Sequence, residues 1–217
     1  MNLPNALTLL RIFFVPFLVA VLVQERASYS FFGLTLGNQT VALLIFLTAA
    51  GTDLLDGYLA RRWNQITTVG MLLDPIADKL LISAALISLV QVHRVPSWMA
   101  VLIIGREFAV SGLRSIAASE GYTIQASELG KTKMVTQVLA IGLILAAQDF
   151  PALVSPAHFC LWGTMVFALV SAADYVRKFW HRIDESIKDR RRSELIRMER
   201  KRQRDARRPA HAVRGRR

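Results

Sequence analysis

The chain holds a single cysteine, Cys160, so no disulfide can form within it and a cysteine-stapled scaffold is excluded. Its four histidines, His93, His158, His181 and His211, stand at no metal-ligand spacing, which sets imidazole-based zinc chemistry aside. Acid is scarce as well, with 16 Asp or Glu against 27 Lys or Arg. No repeat of fixed period is apparent, which argues against a solenoid. The first apolar run lacks a small-residue cleavage site, and further apolar runs follow it. It therefore reads as a retained membrane segment rather than a secretory signal.

What is abundant is apolar surface. Hydrophobic residues make up 53% of the chain, above the roughly 45–50% of ordinary soluble domains. The excess is uneven. Residues 1–180 are apolar blocks of nearly balanced charge and form one membrane unit. Residues 181–217 hold fifteen Lys or Arg against six Asp or Glu, and so carry nine of the eleven net positive charges. This second segment reads as a basic cytoplasmic tail, helical in part and disordered beyond. It suits contact with an anionic leaflet, or a solvated role that fixes topology. Its charge alone would also permit loose nucleic-acid binding, but no nucleic-acid partner is expected.

A spanning helix needs about 20 mostly apolar residues. Six segments qualify: 7–23, 40–60, 73–92, 97–118, 134–148 and 157–176. If both termini are cytoplasmic, that side receives Arg11, Arg61, Arg62, Lys79, Arg114, Lys131, Lys133, Arg177, Lys178 and the tail. Only Arg26 and Arg94 fall clearly on the other side. Basic residues in short loops favour the cytoplasm. The expected fold is thus all-α, with six transmembrane helices, both ends inside, and a polar cavity open to the cytoplasmic side of the inner membrane. Trp98, Trp162 and Trp180 suit interfacial positions.

Within this apolar frame, "GTDLLDGYLARRWNQITTVGMLLDPIADKLL" (51–81) carries four aspartates. Asp53, Asp56, Gly57 and Ala60 fall within roughly 100° of helix surface, and Asp74 and Asp78, four apart, share a face. Charge in hydrocarbon is seldom kept without a use. Four converging carboxylates would repel and be driven to protonate. All-oxygen ligation suits Mg²⁺ or Mn²⁺, and two such ions can clamp the attacking and leaving oxygens of a phosphoryl transfer. Gly57 and Ala60 leave room for a ligand, and Arg61 can reach a phosphate. Each aspartate taken alone also fits capping or ion pairing, and Asp74-Pro75 resembles a helix start. A cation channel lined by acids is a further possibility, but it would place acids on both sides of the bilayer midplane.

The pattern Asp53-x-x-Asp56-Gly57-x-x-Ala60-Arg61, with Gly70, Asp74 and Asp78 following at fixed spacing, resembles the signature of the CDP-alcohol phosphatidyltransferases, six-helix membrane enzymes. The resemblance implies that Asp53, Asp56 and Asp74 ligate metal. Asp78 would complete that site and act as general base, while Gly57, Ala60, Arg61 and Gly70 contact the CDP moiety. It also implies a homodimer. Three further stretches, "MNLPNALTLLRIFFVPF" (1–17), "IGREFAVSGLRSIAASEG" (104–121) and "GKTKMVTQVLAI" (130–141), are similar to the branch that joins CDP-diacylglycerol to glycerol 3-phosphate, giving phosphatidylglycerophosphate and CMP.

Arg106, Arg114, Lys131 and Lys133 fit that small dianionic acceptor, because Arg and Lys grip phosphate. Inositol phosphate, or phosphatidylglycerol as in cardiolipin synthesis, would also suit them. As alternatives, Arg114, Lys131 and Lys133 can be interfacial anchors, and Arg106 can pair with Glu107. Asn5 and Thr8 either line the nucleotide pocket or form a plain cap.

Overall fold

The computed structural model describes residues 3–24, 28–31, 34–63, 68–119 and 129–212. Six long helices follow in order: α1 (Leu3–Val23), α2 (Asn38–Arg62), α3 (Thr68–Gln91), α4 (Ser97–Ser119), α5 (Leu129–Ala146) and α6 (Val154–Ala212). They coincide with the six apolar segments. A short antiparallel hairpin, β1 (Ser28–Phe31) and β2 (Leu34–Gly37), links α1 to α2, with Tyr29 opposite Leu36. The all-helical expectation had left this hairpin out.

Apolar side chains pack the interior. α1 lies against α2 and α3, α5 lies between α2 and α6, and α4 rests on α6. Leu18, Phe46, Leu86, Leu89, Met99, Ile103, Ile141, Leu145 and Leu161 form the solvent-free centre. Many large apolar side chains point outward as well, among them Phe13, Phe17, Leu44, Ile87, Val101, Phe159 and Val170. An outward apolar coat over an apolar core is what a lipid solvent selects. The segments Asn5–Val23 and Pro151–His181 are each long and apolar enough to cross a membrane, and Met134–Ala146 is a shorter apolar helix. Trp98 and Trp162 meet edge to face, with ring centroids 5.5 Å apart, where α4 and α6 pack.

Polar contacts give the helix directions. Thr40, at the start of α2, donates to Asp149 just beyond α5. Arg11 of α1 meets Asp53, late in α2. The C-terminus of α3 turns sharply: His93 adopts φ 58°, its N–H bonds to Val90 O at 3.0 Å, and Arg94 N–H bonds to Leu89 O at 2.9 Å. This paired closure satisfies two end carbonyls and normally favours glycine at the left-handed position. α4 then starts at Ser97. The hairpin, this turn and the α5–α6 junction therefore lie at one end of the bundle, and the aspartates lie at the other.

α6 runs for 59 residues and continues without a break through position 180, where the apolar unit gives way to the basic tail. The tail is helical as far as Ala212.

Candidate active site

Asp53 sits in the penultimate turns of α2, and Asp74 and Asp78 lie in the first half of α3. α3 begins at Thr68, so Asp74 is inside the helix and does not cap its start. Pro75, also inside, lacks an N–H and removes one rung of the hydrogen-bond ladder beside the carboxylates.

α1 binds these acids together. Arg11 Nη1 donates to Asp53 Oδ1 at 2.9 Å and also to Asp78 Oδ1. Arg11 Nε points at Thr52 Oγ1, 3.5 Å away, and that hydroxyl donates to Ala49 O at 2.7 Å. One turn earlier on α1, Thr8 Oγ1 donates to Asp74 Oδ1 at 2.7 Å. Arg11 and Thr8 are buried, while the Asp53 and Asp78 side chains are 18% and 29% exposed. The protein thus covers the cation and leaves the anions partly accessible.

Arg11 was expected only as an inside-facing flank charge, and its central place went unforeseen. The one available signal was an arginine within an otherwise apolar run, five residues before Pro16. Thr8 was foreseen as a pocket residue or a cap; its hydroxyl binds one of the acids.

The backbone of α2 carries Asp56, Gly57, Ala60 and Arg61, but their side chains lie outside the described residues, as do those of Lys131 and Lys133 on α5. Gly70 is buried in the first turn of α3. Among the described residues, no three acidic, histidine or cysteine side chains are gathered closely enough to hold an ion by themselves. Asp53 and Asp78 do converge on a single nitrogen, and Asp74 is held one helical turn along. Chemically, these donors fit a hard divalent ion: every one is a carboxylate oxygen, and each is partly open.

The acceptor-side cations are arranged differently. Arg106 is buried and spans helices: Nε donates to Ala168 O at 3.2 Å, Nη2 to Ser171 Oγ at 2.9 Å, and Nη1 pairs with Glu107 Oε1 at 2.7 Å. Gln137 of α5 donates to the same Glu107 oxygen at 3.2 Å. This network ties α4, α5 and α6 together, and it realises the pairing with Glu107 that the sequence left open. Arg114, two turns on, is exposed and lies over the Tyr175 ring, 6.0 Å from its centroid, within the range of a cation–π contact. The Tyr175 hydroxyl is buried and has no hydrogen-bond partner among the described residues. Sequence reasoning had not singled out Tyr175.

An apolar groove of about 520 Å³ runs between α2 and α5. Leu43, Leu47, Val138, Leu139 and Gly142 line it, and Asp53 closes the end nearest the acids.

One buried arginine, Arg11, thus clasps carboxylates from two helices, close to an apolar groove. The family model for CDP-alcohol phosphatidyltransferase matches residues 1–171, and the chain belongs to that family. It is accordingly a membrane-bound phosphatidyltransferase, of a family that generally depends on divalent metal. A *Bacillus subtilis* (strain 168) protein named CDP-diacylglycerol–glycerol-3-phosphate 3-phosphatidyltransferase is 39% identical over 193 residues, covering 85% of this chain and 98% of that one. A *Pseudomonas fluorescens* protein of the same name is 35% identical over 196 residues, covering 83% and 91%. A *Mycobacterium tuberculosis* (strain H37Rv) protein named as a probable phosphatidylglycerophosphate synthase is 38% identical over 177 residues, covering 82% and 81%.

Proposed function

We propose that the chain transfers the phosphatidyl group of CDP-diacylglycerol to glycerol 3-phosphate, releasing CMP and forming phosphatidylglycerophosphate. The observation that carries this is the convergence of Asp53, Asp74 and Asp78 upon Thr8 and Arg11, supported by the names of the relatives above.

In this reading Asp53, Asp56, Asp74 and Asp78 would hold two Mg²⁺ or Mn²⁺ ions. Bound there, the ions would neutralise the pyrophosphate and stabilise CMP as a leaving group. Gly57, Ala60, Arg61 and Gly70 contact the CDP moiety. The groove between α2 and α5 takes acyl chain, because it starts beside Asp53 and is otherwise apolar. Asp78 accepts the proton of the acceptor hydroxyl as that oxygen bonds to the lipid-side phosphorus and the bond from phosphorus to CMP breaks. Arg114, Lys131 and Lys133 draw in the acceptor's phosphate, and the Tyr175 hydroxyl beside Arg114 offers it a donor. Arg106, first considered for the same task, fits better as the tie that steadies this end of α4.

All six helices cross the inner membrane, with both termini and the acids on the cytoplasmic side, and two copies associate. The test is CMP release by purified protein given CDP-diacylglycerol, Mg²⁺ and one acceptor at a time. Release with glycerol 3-phosphate, and not with inositol phosphate or phosphatidylglycerol, is the expected result. No release with any acceptor from well-folded protein would overturn the assignment.

A further inference from the structure

Arg11 has no exposed surface and lies within an apolar helix, so its charge must be met by acid. Among the described residues, its Nη1 donates to Asp53 Oδ1 at 2.9 Å and to Asp78 Oδ1. These acids come from different helices, 25 residues apart in the chain. The guanidinium is therefore the group that makes α2 and α3 present their carboxylates to one another.

A divalent ion at this site draws on the same two carboxylates, each of which already has one oxygen on Arg11. Two effects of Arg11 then oppose each other. By holding Asp53 and Asp78 face to face, it removes part of the ordering cost of ion binding. By occupying one oxygen of each and adding a positive charge at contact range, it opposes the ion. In a partly exposed site the repulsion of a cation by a dication at such range is the larger effect. The ordering gain is limited to the two side chains, because α1, packed against both α2 and α3, already fixes the backbones that carry them.

We propose that Arg11 is a positioning residue that serves as resident counter-cation of the aspartate site: it assembles Asp53 and Asp78 and competes with the divalent ion for them, which holds the ion's affinity down. This rests on the metal-dependent reading above. It assigns α1 a part in setting the metal requirement, although α1 contributes no ligand.

The experiment is a Mn²⁺ titration of the purified full chain in detergent, without substrate, with free ion followed by electron paramagnetic resonance. Arg11→Gln removes the charge and keeps a polar side chain; it should bind Mn²⁺ about tenfold more tightly than the natural chain, or more. Arg11→Lys keeps the charge but loses the planar fork that reaches two carboxylates together, and should tighten binding about threefold. Equal or weaker binding by a folded Arg11→Gln protein would overturn the proposal, leaving Arg11 as structural support only. If Arg11→Gln does not fold, Arg11→Lys decides on the same criterion. CMP release by the natural chain, with and without Mg²⁺, keeps the two readings apart. Turnover without metal removes the metal reading itself, whereas metal-dependent turnover with unchanged affinity in the variants removes only the role of Arg11.

Discussion

Asp78 and Thr8 separate the chemistry of the site from its support. Asp78→Asn keeps shape and hydrogen-bonding capacity while losing the base. CMP release should fall by about a thousandfold or more, while the protein stays folded at a lowered melting temperature because Asp53 still pairs with Arg11; an active Asp78→Asn protein would transfer the base role elsewhere. Thr8→Val deletes the donor to Asp74 and nearly preserves volume. A hydrogen bond to a charged group contributes about 1.5–3 kcal/mol, so kcat/KM should drop about tenfold or somewhat more. Thr8→Ser should restore most of it. A Thr8→Val enzyme with natural kinetics would show that Asp74 needs no help from α1. The aspartates were legible in the sequence because helical period alone puts Asp53 near Asp56 and Asp74 near Asp78. Arg11 was not, because its partners lie 41 to 67 residues away. An arginine near the start of an apolar run also has a ready local explanation as a topological charge. Long-range pairing leaves no periodic trace.

Among the elements, the six helices were readable from their apolar runs, since length and hydropathy determine them almost alone. The errors sit where local chemistry competes with packing. Asp74-Pro75 looks like a helix start, yet α3 begins at Thr68, so the helix carries its proline internally. The hairpin at 28–37 is only two short strands, too brief for alternation to stand out, although aromatic residues around Gly33 were a usable hint. The apolar groove belongs to this scale too, because it exists only once α2 and α5 pack. A β-carbon added at Gly142 would meet Leu43 and Leu47 side chains at 3.9 Å, an ordinary contact, so a larger side chain there projects into the groove. Gly142→Phe should raise KM for long-chain CDP-diacylglycerol severalfold and leave kcat largely intact. A short-chain analogue should be less affected. Equal loss with both substrates would assign the defect to helix packing instead.

For the whole molecule, orientation is the open quantity that experiment can read directly. With Cys160→Ala as background, single cysteines at Arg94 and Arg200, both exposed, give opposite readouts to an impermeant maleimide. Arg94→Cys should label in intact cells, and Arg200→Cys only in inside-out vesicles. Labelling of both from one side would contradict the three crossings, α4 to α6, expected between them. The course of the α2–α5 groove has a separate consequence. Because it begins beside Asp53 and is walled by outward-facing Leu47 and Leu139, the proposed diacyl substrate would enter and depart within the plane of the leaflet. In the proposed orientation its water-soluble counterparts would exchange with the cytosol. Encounter is then two-dimensional on one side of the reaction and three-dimensional on the other. Diluting the bilayer with inert lipid, at constant total CDP-diacylglycerol, should slow the enzyme as though its substrate had been removed.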